Sequence, residues 1–228
     1  MPPAVKLAAQ SIAGFAFLFA AMGGCVFGAA GTMAYWQGWG LLGVFVGCSG
    51  LITIWLWFHD KALLARRVKA GPGREPDPVQ NVVQALAGLV FLGSIGLPAL
   101  DHRFGWSHLP LAAEVVGDAL VAVGFLVVFL VFRENSFTAG TIEIAEGQRV
   151  VDTGPYALVR HPMYAGALLL FVGMPLALGS WWGLGIGALI APLLAWRLTR
   201  EEGFLAHHLA GYRDYRARVR RRLIPGVW

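Results

Sequence analysis

Residues 7–30 contain no charged side chain, and a stretch of that length without charge has few homes. A helix rises 1.5 Å per residue, so about 20 apolar residues cross the roughly 30 Å hydrocarbon core of a bilayer. Comparable runs recur at about 39–58, 79–99, 111–132, 163–179 and 181–198. A chain inside lipid must satisfy its backbone polar groups internally, which a helix does within one segment. The expected fold is therefore all-α, a polytopic membrane protein of about six transmembrane helices. Composition agrees: hydrophobic residues make up 57% and charged residues 14%, against about 45–50% and about 25% in soluble domains. No cleavage site follows the first run, which is expected to stay in the mature protein.

The connections divide the chain further. Tyr35, Trp36 and Trp39 form an aromatic belt at a very short turn, and the polar segment 59–78 reads as a loop rich in basic residues. After four spans, 133–161 turns polar and turn-rich. The last two runs are joined at Gly179 and Ser180, too short for anything but an antiparallel helical hairpin. Pro98, Pro175 and Pro192 are expected to bend or end helices. Two regions follow: a four-span membrane region over 1–132, and a second region over 133–228 made of a loop, a hairpin at 163–198 and a charged tail helix.

With six spans, seventeen of the eighteen Lys and Arg residues fall on one face, and only Arg103 on the other. The positive-inside rule then puts both termini in the cytoplasm, with a bacterial inner membrane as the expected location. The basic tail lies where anionic lipid head groups attract it, which excludes a nucleic-acid role. The first three spans carry no ionisable side chain apart from Cys25 and Cys48, a poor basis for ion-coupled transport. No HxxxH or HExxH spacing suggests a metal centre. The glycines at 183, 185 and 187 sit in an apolar run, where close helix packing explains them better than a nucleotide loop.

The chemistry-bearing residues gather at 149–166, where Asp152, Thr153, Tyr156, Arg160, His161 and Tyr164 stand at the door of the hairpin. Interface anchors alone would explain Arg, His and Tyr there. The hairpin, however, returns Arg197, Arg200, Glu201 and Glu202 to the same face. Arg197 and Glu201 are four apart on one helix and can pair. Together the two groups point to a polar pocket at the membrane surface.

Four motifs carry a resemblance: GQRVVDTGPY at 147–156, VRHPMY at 159–164, REE at 200–202 and GYRDY at 211–215. From Arg133 onward the chain resembles the isoprenylcysteine carboxyl methyltransferase family, which is related to the membrane phospholipid N-methyltransferases. The resemblance implies S-adenosylmethionine as cofactor, bound at the cytoplasmic face without a Rossmann domain. It implies that Gln148, Arg149, Val150 and Val151 hold the adenine end through backbone groups. Tyr156, His161, Pro162, Met163 and Tyr164 line the cofactor, and Glu202 or Glu201 binds its polar end. An arginine near the acceptor is also implied, Arg197 first and Arg200 second. The partners implied are a lipophilic or lipidated substrate and membrane lipids.

The residue types suit such chemistry. A sulfonium methyl donor needs an aligned nucleophile and a dry site rather than strong activation. A carboxylate acceptor is already ionised at neutral pH, and an arginine can orient it. An amine acceptor must first lose a proton, making His161 or a glutamate the candidate base. Three readings stand: a carboxyl or other heteroatom methyltransferase acting on a lipophilic substrate, a phospholipid amine N-methyltransferase, and a non-catalytic membrane scaffold or binder.

Overall fold

The computed structural model describes residues 3–69, 78–138, 144–226 and Trp228. Its helices are α1 (Pro3–Ala30), α2 (Trp36–His59), α3 (Lys61–Lys69), α4 (Pro78–Phe104), α5 (Leu111–Glu134), α6 (Pro162–Ala177), α7 (Trp181–Ala188), α8 (Ile190–His208) and α9 (Tyr212–Arg218). A short 3-10 turn, Gly154–Ala157, lies between α5 and α6. Among the described residues there is no strand, and the all-α expectation stands.

Five stretches are long and apolar enough to cross a membrane: Ala4–Ala30, Trp36–His59, Pro78–Phe104, Leu111–Glu134 and Trp181–His208, the last combining α7 and α8. The remaining apolar run is the shorter Pro162–Ala177. Its limits have local causes. Pro162 opens α6 with a nitrogen that has no hydrogen to donate, and Gly179 (φ +74°) turns the chain beyond it. The break between α7 and α8 follows from Pro192, whose ring opposes the Ala188 carbonyl four residues earlier. Pro98 and Pro175 instead remain inside α4 and α6.

The closest packing joins α5 to α6, and small residues make it. A Cβ placed on Gly124 would lie 2.8 Å from the Gly166 carbonyl oxygen, and one on Gly166 would lie 2.9 Å from that of Gly124. One helical face further on, a Cβ on Gly173 would lie 2.7 Å from the Gly117 oxygen. The two backbones therefore touch, as small residues allow between helices in lipid.

The segment read as a loop contains α3. Its start is capped by Asp60, whose carboxylate accepts from the Leu63 N–H at 2.8 Å. Leu63 and Leu64 are buried against the spans, so the short helix is held by tertiary packing rather than by its charged sequence. Its basic face reaches the end of α5: the Arg67 guanidinium lies 5.1 Å from the Phe132 ring centroid, and Arg66 donates to the Ser136 carbonyl. At the other membrane face a polar lock fixes the α6–α7 turn. The Tyr35 hydroxyl donates to the Leu178 carbonyl at 2.5 Å. Ser180 donates to buried Asp101 and accepts from the Gly183 N–H, capping α7.

Candidate active site

The connection from α5 to α6 is pinned at both sides. Gly154 takes φ +56°, and a Cβ there would lie 2.9 Å from the Glu134 carboxylate, so the turn can sit directly on the end of α5. Thr153 donates its hydroxyl to the same carboxylate. Asn135 donates its amide to the Tyr156 hydroxyl at 3.0 Å, and Tyr215 of α9 donates to the Tyr156 carbonyl at 2.8 Å. Residues 160–161 then run alongside the tail, with the Arg160 and His161 N–H groups donating to the carbonyls of Arg221 and Arg222.

Glu202 is the centre of a buried ion cage. Its carboxylate accepts from Arg160 Nε at 2.7 Å and meets His161 Nε2 at 3.2 Å and Arg222 Nε at 3.4 Å. Glu202 and Arg160 are 2% and 6% exposed, so each charge depends on the others for compensation. The cage binds α8, the start of α6 and the tail into one unit.

Glu201 faces the other way. It accepts from the Tyr164 hydroxyl at 2.7 Å, and that same oxygen accepts from Arg197 Nε at 3.1 Å. Arg197 also donates to the Gln80 carbonyl oxygen at 3.2 Å. The i, i+4 pair of α8 is thus bridged by a phenol from α6, and the relay runs on to α4.

A cleft opens beside this relay. The connection contributes Gln148, Arg149, Val150, Val151 and Tyr156 to its lining. The start of α6 contributes His161, Pro162, Met163 and Tyr164, and α8 contributes Arg197 and Glu201. Glu202 and Arg200 are outside the lining: Glu202 is in the cage, and Arg200 is on the exposed side of α8. Gln148 folds back on its own turn, accepting from the Ala145 N–H at 2.9 Å, which leaves Val150 and Val151 as the apolar part of that wall. Residues unassigned from sequence also line the cleft, notably Asn135, Tyr212 and Tyr215. The i, i+3 spacing of the two tyrosines, which puts both on one face of a helix, was the available signal.

Burial pushes the pKa values of Tyr156, Tyr212 and Tyr215 above the usual phenol value, so all three stay neutral and keep a proton to donate. Tyr215 and Tyr156 use their hydroxyls within the protein. The Tyr212 hydroxyl is buried and has no hydrogen-bond partner among the described residues, a donor and acceptor on the cleft wall. Phenol rings, apolar valines, a carboxylate and an unspent hydroxyl are a donor set that suits a ligand with an aromatic base, a cationic centre and polar ends. The free space in the cleft is about 110 Å³.

Residues 112–211 match the family described as phospholipid methyltransferase. The match covers the end of the spanning region, the connection and the relay residues of α6 and α8. It supports a membrane methyltransferase family, without the isoprenylcysteine specificity that the motifs suggest. No curated protein matches the chain.

Proposed function

We propose that this protein is an S-adenosylmethionine-dependent methyltransferase of the cytoplasmic membrane face that methylates a carboxylate of a lipophilic acceptor. The observation that carries the reading is the Arg197–Tyr164–Glu201 relay on the wall of a tyrosine-lined cleft. Bound S-adenosylmethionine supplies an electrophilic methyl group on a sulfonium centre.

The chain's residues divide the remaining work. Val150 and Val151, with backbone groups of 148–151, suit the adenine end, and the phenol faces of Tyr156, Tyr164 and Tyr212 attract a cationic centre. Glu201, rather than caged Glu202, suits the amino end, and Tyr212 offers its free hydroxyl. Arg197 is the residue for the acceptor's anionic oxygen, with Tyr164 fixing its Nε edge. Arg200 lies on the exposed side of α8, outside the cleft lining.

Proton bookkeeping favours a carboxylate over an amine. A carboxylate needs no base, whereas an amine must shed a proton as the bond forms. Both candidate bases are engaged: His161 Nε2 faces Glu202, and Glu201 already accepts from Tyr164. Detergent-purified protein incubated with methyl-labelled cofactor and a native lipid extract tests this. Base-labile label in the lipid is the expected product. Base-stable label on an amine head group overturns the carboxylate assignment, and loss of cofactor binding to the wild type overturns the enzyme reading.

A further inference from the structure

The chain beyond α9 is folded against the body of the protein. Leu223 is buried, the Arg221 and Arg222 carbonyls accept from the N–H groups of Arg160 and His161, and the Arg222 side chain meets Glu202. Gly226 takes φ +87°, and the turn around it brings the Trp228 N–H to the Ile224 carbonyl at 3.2 Å. The Trp228 ring then lies 5.1 Å from the Arg222 guanidinium, where an aromatic face attracts a cation.

This folding gathers Arg160, Arg216, Arg220, Arg221, Arg222 and Trp228 around a cup of about 470 Å³. Among the described residues no Asp or Glu lines it. Arg160 and Arg222 face Glu202, whereas Arg216, Arg220 and Arg221 are exposed and have no ion pair among the described residues. Like charges repel, and the anchored backbone keeps these three from dispersing along the surface. The depth of the cup follows from α6, because the tail pairs with residues 160 and 161 and Pro162 opens that helix. Helix α6 has 16 residues, a rise of about 24 Å, less than the roughly 30 Å of a hydrocarbon core. Its start therefore stands at head-group depth rather than above the bilayer.

We infer that this cup is a binding site for a phosphate oxyanion, with Arg216, Arg220 and Arg221 taking its oxygens. A guanidinium fork matches phosphate oxygens two at a time. The site is separate from methyl transfer: four of its five arginines lie beyond residue 211, where the family match ends. Two sources carry this chemistry, an anionic lipid head group, which the depth of the cup favours, and a soluble phosphate compound.

The test measures the thermal midpoint of the full chain in neutral detergent with added short-chain phosphatidylglycerol, the matching phosphatidylcholine, or inorganic pyrophosphate. A ligand at about a hundredfold its dissociation constant should raise the midpoint by about 5–11 °C. Arg220→Gln combined with Arg221→Gln should weaken phosphatidylglycerol binding by about tenfold to a hundredfold. Lys6→Gln combined with Arg133→Gln removes the same charge from exposed positions outside the cup and should leave it unchanged. An equal loss in both double variants overturns the inference, because it reduces binding to diffuse charge, and so does undiminished binding by the Arg220/Arg221 variant. An equal rise with phosphatidylcholine also overturns it, leaving only acyl chains against the spans, as does no rise with either anion. A rise with phosphatidylglycerol alone assigns the site to a lipid head group, one with pyrophosphate alone to a soluble phosphate, and one with both to the phosphate itself.

Discussion

Glu201 and Glu202 are adjacent in sequence and opposite in task, and two substitutions separate them. Glu202→Gln keeps the size of the side chain and removes the charge that Arg160, His161 and Arg222 surround. Arg160 and Glu202 are almost wholly buried, and removing one partner of such a pair costs about 3–5 kcal/mol because the other charge stays behind uncompensated. For a chain of this size each kcal/mol lowers the unfolding midpoint by about 2–4 °C, giving a fall of about 6–20 °C. The assay is thermal unfolding of the purified protein in detergent, with labelled-cofactor binding measured well below the midpoint. Glu201→Gln should do the reverse: a shift of the midpoint within about 2 °C, since it loses one contact on a cleft wall, and a clear loss of cofactor affinity. An unshifted midpoint for Glu202→Gln with lost binding would refute the reasoning, because it would make Glu202 a cofactor ligand.

Two further outcomes follow from the packing and the cleft. Gly166→Val drives side-chain atoms into the Gly124 carbonyl, 2.9 Å from the new Cβ, and should destabilise by about 1–3 kcal/mol or more, read as a lowered midpoint. Tyr212→Phe removes a hydroxyl that has no partner among the described residues and should weaken cofactor binding by about twofold to tenfold at an unchanged midpoint. Unchanged affinity would remove Tyr212 from the site.

Much of this arrangement is written in the sequence at the level of runs and motifs. Charge-free stretches of 20 residues have one stable form in lipid, so the spans are legible, and Pro192 locates the break before α8. Short α3 is not legible as a helix, because its charge suggests solvent while Leu63, Leu64 and the Asp60 cap bind it to the spans. The roles of neighbouring glutamates are harder still. Successive residues on a helix point about 100° apart, so Glu201 and Glu202 must face different surroundings, but only the neighbours on α6 and the tail decide which faces the cleft. Arg197 was found by its spacing to Glu201; its bridge through Tyr164 depends on how α6 and α8 lie together. Gln80 gives no local signal, since its partner Arg197 lies 117 residues away in the sequence.

The glycine contact between α5 and α6 has a mechanical side. Backbones that touch leave no layer of side chains to slide or compress, so the two helices form one stationary jaw carrying His161, Met163 and Tyr164 at its tip. The opposite jaw is the connection bearing Val150 and Val151. That jaw is latched to α9 by the Asp152–Arg218 pair, 2.6 Å long and with side chains 44% and 60% exposed. An exposed pair of this kind contributes about 0–1 kcal/mol and weakens in salt. Raised ionic strength therefore loosens this tie first, while Thr153, Asn135 and Tyr215 keep their hold on the connection.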